Sequence, residues 1–119
     1  MILKYKIPLI TLFSLVLLYV LHVSAIDDYW YLYYPYFDIP MHILGGVCLA
    51  LSAFFILKDS KHIIILTIIG GISWEIFEVY FNIAGYPVSS ILYKMDTAKD
   101  IANDTLGAVL VWVTLNYKK

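Results

Sequence analysis

The sequence contains no arginine, one cysteine and few charges of any kind, with only 14% of its 119 residues charged. Without arginine there is no planar guanidinium fork for bidentate phosphate recognition. The net charge of −1 also lacks the clustered basic surface that nucleic acid selects, so nucleic acid is excluded as a partner. The lone Cys48 cannot form an internal disulfide, and in its apolar surroundings it reads as a buried, inert thiol. Proline and glycine number only four and six, and no repeat, low-complexity tract or linker divides the chain. What fills the space is apolar: 62% of residues are hydrophobic and the mean hydropathy is +0.83. Soluble domains hold about 45–50% apolar and about 25% charged residues, and a chain this short has too much surface to hide the excess from water. Lipid is the expected solvent, around a single domain.

A helix needs about 20 mostly apolar residues to cross the hydrocarbon core. Four stretches fit, at about 7–26, 39–57, 63–84 and 98–117, the last polar in its first two turns. The expected fold is therefore all-α, a polytopic integral membrane protein with four transmembrane helices in one small bundle. Lys58-Asp59-Ser60-Lys61 reads as a tight polar turn. The aromatic segment Asp27–Phe37 reads as lying along the membrane interface, where Tyr and Trp concentrate. Gly85-Tyr86-Pro87 is expected to end the third helix, and residues 88–95 read as a short apolar loop. Lys4, Lys6, Lys58, Lys61, Lys118 and Lys119 fall on one side and Lys94 and Lys99 on the other. The positive-inside bias then places both termini in the cytoplasm of a multi-pass cell-membrane protein. Residues 1–25 also match a cleavable secretory signal, ending at Val23-Ser24-Ala25; the length of the apolar run favours a retained span.

The chemistry is expected where polar residues interrupt these spans. Asp38 and His42 lie four residues apart on one helical face that continues through Gly45, Gly46, Ala50 and Ala53. Glu75, Glu78 and Asn82 form a stripe on the third helix, one turn after Gly71. Asp96, Asp100, Asn103 and Gly107 form another on the fourth, with Asp104 beside them. Small residues allow close helix approach in lipid, so the three stripes are expected to face each other, at one depth in the extracytoplasmic half.

A mid-membrane carboxylate costs about 2.5–3.5 kcal/mol on insertion scales, which calls for compensation by protons, histidines or a cation. Asp38, His42, Glu75, Glu78 and Asp100 are the candidate ligands of a divalent metal ion of the kind that carboxylate-plus-imidazole sites hold. Glu75 and Glu78 are the candidate catalytic carboxylates, and Asp96, Asn103 and Asp104 support them. Simpler roles exist for some of these residues. Asp38 ahead of Ile39-Pro40 reads as a helix cap, Thr97-x-x-Asp100 as a capping box, and His22 or His42 as packing residues. Asn103-Asp104-Thr105 matches a glycosylation sequon that is accidental inside a span. No cap accounts for Glu75 and Glu78.

The ordered trio Asp38-x-x-x-His42-x-x-Gly45-Gly46, Trp74-Glu75-x-x-Glu78 and Asp96-Thr97-x-x-Asp100, leading to Gly107-Ala108, resembles bacterial inner-membrane proteins of the YjdF type. It is more distantly similar to VanZ-like membrane proteins, which carry Lys where this chain has Ile39 and Asn where it has Asp104. The resemblance implies a multi-span membrane fold with a shared acidic and histidine site. Three functions are open at this point. One is a metal-dependent enzyme acting on a lipid or lipid-linked substrate. Another is proton or cation transport, which in so small a chain calls for a homo-oligomer. The third is a non-catalytic partner or assembly factor for another membrane protein.

Overall fold

A computed structural model describes residues 2–117, with side chains from residue 6 onward. The described residues form helices and no strand: α1 (Ile2–Asp27), α2 (Trp30–Tyr33), α3 (Asp38–Leu57), α4 (Ile63–Tyr80) and α5 (Ile91–Asn116). Lys4, Lys118 and Lys119, which enter the orientation argument, lie outside the described side chains. Three helices are long and apolar enough to cross a membrane: α1 over Lys6–Asp27, α3 and α4.

The distribution of side chains is the reverse of a water-soluble bundle. Large apolar residues such as Leu9, Phe13, Ile56 and Ile76 are exposed, whereas Thr11, Ser14, Thr67, Glu75, Asp100 and Asp104 are buried. Buried hydroxyls turn back on their own helices, Thr11 Oγ1 donating to the Ile7 carbonyl and Thr67 Oγ1 to that of Ile63, both at 2.8 Å. The helix backbone thus satisfies these groups without a partner helix.

α3 is the hub, packing on α1, α4 and α5. α3 and α5 run parallel, as three contacts in order along them establish. Asp38 meets Lys99 at one end, Gly46 meets Asp104 and Gly107 in the middle, and Ser60, just past α3, donates to Asn116 Oδ1 at 3.3 Å at the other. α4 runs antiparallel to both and packs against each. The core lies in the half nearer the α3–α4 turn and consists of Ala50, Leu51, Ile63, Ala108 and Val111.

The helix ends depart from the sequence expectations in three places. α4 stops at Tyr80, four residues before the expected Ala84. Asn82 takes the left-handed conformation (φ 56°), and the N–H groups of Ile83 and Asn82 bond to the carbonyls of Glu78 and Val79. This is a Schellman cap with asparagine in the position glycine usually holds. Asn82 therefore leaves the Glu75–Glu78 stripe. α5 begins at Ile91, so residues 91–95 are helix instead of loop, because Ser90 caps the helix by accepting from the Tyr93 N–H at 3.1 Å. Thr97 is then a mid-helix residue and the expected capping box with Asp100 is absent. Asp38 likewise lies inside the first turn of α3, with Phe37 at the cap position.

The aromatic connection after α1 is helical at its centre, over Trp30–Tyr33, and contains no strand. Tyr29, Tyr33, Tyr34 and Tyr36 are exposed, while Trp30 and Tyr31 pack edge-on against Phe37. The α3–α4 turn is fastened by Asp59, which accepts from the Lys61 N–H at 3.0 Å and pairs with His62 Nδ1 at 3.1 Å. Those bonds, the Lys61 N–H foremost, hold the exposed Asp59 carboxyl below the usual carboxylate range.

Candidate functional site: an acidic cluster around His42 and Lys99

Two glycines decide how closely the polar stripes meet. A methyl group on Gly46 would overlap the backbone carbonyl of Asp104, and one on Gly107 would overlap the backbone carbonyl of Ile43. α3 and α5 therefore touch backbone to backbone, a spacing only glycine permits. Gly71 on α4 faces the Asp104 side chain, where a Cβ would lie 2.6 Å from Oδ2. Asp104 is buried at the point where all three helices converge.

Around that point the polar side chains gather. His42 Nδ1 lies 3.2 Å from Asp104 Oδ1, and His42 Nε2 faces Asp38 Oδ1 at 3.5 Å and Asp100 Oδ2 at 3.6 Å. The imidazole is therefore held edge-on between a carboxylate on one nitrogen and a pair of carboxylates on the other. Lys99 closes the group from its outer side, donating to Asp96 Oδ1 at 2.7 Å and Asp38 Oδ2 at 3.1 Å. Asp100 Oδ1 is 3.3 Å from the same ammonium but is buried without a hydrogen bond of good geometry. Four aspartates thus share one ammonium and one imidazole.

Among the described residues, Asp38, His42 and Asp100 are the group whose ligand atoms all lie within 4.8 Å of one another, the span a single metal ion can bridge. Asp104 adds the orienting carboxylate on the far nitrogen. Glu75 and Glu78 stand outside that group. Glu75 is buried on α4, where its Oε2 accepts from Thr97 Oγ1 at 2.8 Å and its Oε1 has no partner. Glu78 is half-buried, with Glu75, His42 and Asp38 the charged groups around it. Asp96 reaches the cluster only through Lys99. Asn103 is half-buried and its amide nitrogen has no partner. His22 is separate: its Nδ1 lies 2.9 Å from the Tyr31 hydroxyl and its ring stands edge-on to Trp74.

Two residues central to the geometry were not legible as site residues. Lys99 enters the sequence argument as an orienting charge, although its position three residues after Asp96 and next to Asp100 places it among carboxylates. Thr97 reads as a cap, and only the early start of α5 turns its hydroxyl towards Glu75.

No protein-family model, no curated protein and no solved structure matches the chain.

Proposed function

We propose that this chain is a four-span membrane protein with a divalent-metal site in the outer half of its bundle, used for metal-assisted chemistry on a lipid or lipid-linked substrate. The observation that carries the reading is the setting of His42. With Nδ1 protonated and donating to Asp104, Nε2 turns its lone pair towards Asp38 and Asp100. A carboxylate fixing the tautomer of a ligating histidine is the recurrent arrangement around bound metal. Charge points the same way, since four aspartates against a single ammonium leave negative charge that a divalent cation reduces. Asp38, His42 and Asp100 would hold the ion, which supplies Lewis-acid polarisation of a substrate oxygen. Glu78 of α4 would take up or return a proton, and Lys99 would hold Asp38 and Asp100 in position.

α5 supplies the fourth span in this reading. Its 26 residues extend about 39 Å at 1.5 Å per residue, against a hydrocarbon core of about 30 Å. Its charged first half is compensated by α3 and α4, and its second half from Leu106 is apolar apart from Thr114 and Asn116. With Lys58 and Lys61 in the α3–α4 turn, the cluster falls towards the extracytoplasmic face and both termini lie in the cytoplasm.

The arrangement favours a site over a conduit or a docking stripe. The ladder of polar groups ends at Asp104, and beyond it the interior is Ala50, Leu51, Ile63, Ala108 and Val111, with the Thr67 hydroxyl bound to its own helix. The side chains of His42, Asp100 and Asp104 also face one another and not an outer surface. Metal analysis of the purified protein after addition of Zn²⁺ or Mn²⁺ tests the reading. One ion per chain is expected, lost in both His42→Ala and Asp100→Asn. Absence of stoichiometric metal, or retention by both variants when they remain folded, rejects it.

A further inference from the structure

We propose that the aspartates around His42 form two adjoining cation positions that share Asp38 and Asp100. Lys99 fills the outer position and so holds the chain to a single exchangeable metal ion. For the inner position this rests on the metal reading above; the outer position stands on separate atoms. Asp38 and Asp100 each divide their two oxygens between two partners. Asp38 Oδ1 and Asp100 Oδ2 lie 3.5 and 3.6 Å from His42 Nε2, whereas Asp38 Oδ2 and Asp100 Oδ1 lie 3.1 and 3.3 Å from Lys99 Nζ. Asp96 Oδ1 completes the outer set, 2.7 Å from the same ammonium. Three carboxylate oxygens from α3 and α5 thus converge on one point, and two of those carboxylates bridge from it to the imidazole.

The state of Asp100 marks the outer point as a cation position that the ammonium fills incompletely. Asp100 is 3% exposed, and its Oδ1 is aimed at Lys99 yet makes no hydrogen bond of good geometry. An ammonium donates only along its three N–H bonds, whereas a metal ion attracts all three oxygens at once. A buried oxygen left unpaired costs free energy, which such an ion would recover. Charge allows it. With His42 neutral, four aspartates against one divalent ion and one ammonium keep a single net negative charge, and against two divalent ions they keep none. Lys99 is what withholds the second ion, because its tether keeps the ammonium at high local concentration and its charge repels a metal from the same point. Its side chain is 38% exposed, so the position it vacates on truncation opens to the outside. An oxygen-only set suits a hard ion such as Mn²⁺.

Mn²⁺ binding to the full chain in detergent micelles, counted by equilibrium dialysis and followed by electron paramagnetic resonance, tests the proposal. Wild type should bind one ion per chain, with the six-line signal of an isolated ion. Lys99→Ala should bind two, with that signal broadened by coupling through the bridging carboxylates. Adding Asp96→Asn to Lys99→Ala should remove the second ion. Lys99→Ser takes the place of the alanine variant if circular dichroism shows that the latter does not fold. One ion in both wild type and Lys99→Ala overturns the proposal and leaves the metal reading standing. Two ions in the wild type overturn it as well, as does failure of Asp96→Asn to remove the ion gained in Lys99→Ala. No ion in wild type but one in Lys99→Ala, lost with Asp96→Asn, rejects the metal reading and supports the outer position. No ion in either rejects both.

Discussion

Replacing Gly46 by alanine should destabilise the protein far more than the same change at its neighbour, Gly45. A Cβ on Gly45 would sit 3.7 Å from Asp104 Oδ1, in ordinary van der Waals contact, whereas one on Gly46 would overlap the Asp104 carbonyl. Ordinary contact begins near 3.4 Å, so α3 and α5 would have to part by more than an ångström at their crossing. Overpacking of a filled interior costs about 1–3 kcal/mol. The obstacle here is backbone, with no side chain able to rotate away, which places Gly46→Ala at the upper end. Alanine also favours helix over glycine by about 1 kcal/mol, and that gain is common to both variants. Gly45→Ala should therefore be neutral or slightly stabilising, and Gly46→Ala net destabilising by roughly 2 kcal/mol once the two effects are combined. Unfolding of each purified variant in mixed micelles, followed by circular dichroism against increasing SDS, measures the difference directly. Because the same crossing sets His42 against Asp104, Gly46→Ala should also lower metal affinity. Equal stability of the two alanine variants would refute the backbone-to-backbone crossing on which the site's geometry depends.

Lys99→Met should leave Asp38, Asp96 and Asp100 without their ammonium. Breaking a fully buried pair costs about 3–5 kcal/mol; the Lys99 side chain is 38% exposed, so about 1–2 kcal/mol is expected after solvent screening. Divalent cation should restore part of that stability in the same micelle titration. Thr97→Val should leave both Glu75 oxygens without a partner, at about 1–3 kcal/mol, and a double-mutant cycle with Glu75→Gln should show coupling between the two positions. Asp59 titrates below its ordinary 3.8 because of the Lys61 N–H, so its contribution to the α3–α4 turn is present above that pH and lost as the pH falls through the lowered value. Amide exchange over residues 60–63 should be faster in Asp59→Asn than in wild type at neutral pH, and the difference should vanish in strong acid.

Composition and periodicity determined the class of this molecule: an all-helical chain with an apolar exterior, and polar stripes paired with small residues on the helices of Asp38, Glu75 and Asp100. They could do so because burial in lipid and helical spacing are both local consequences of residue order. Helix ends were partly legible. Asn82 and Ser90 carry the capping chemistry that shortens α4 and lengthens α5, but Gly85-Pro87 and Thr97-x-x-Asp100 offer equally good local signals, and only packing selects between them. The partners within the site were decided by tertiary structure alone. Whether Asp104 or Glu78 meets His42, and whether Lys99 serves topology or the cluster, depends on the azimuth and depth at which α3, α4 and α5 cross. The backbone contact at Gly46 and Gly107 fixes both, by bringing residues about 60 positions apart in the chain (His42 with Asp104, Asp38 with Lys99) into one group. No helical period reports a contact between different helices.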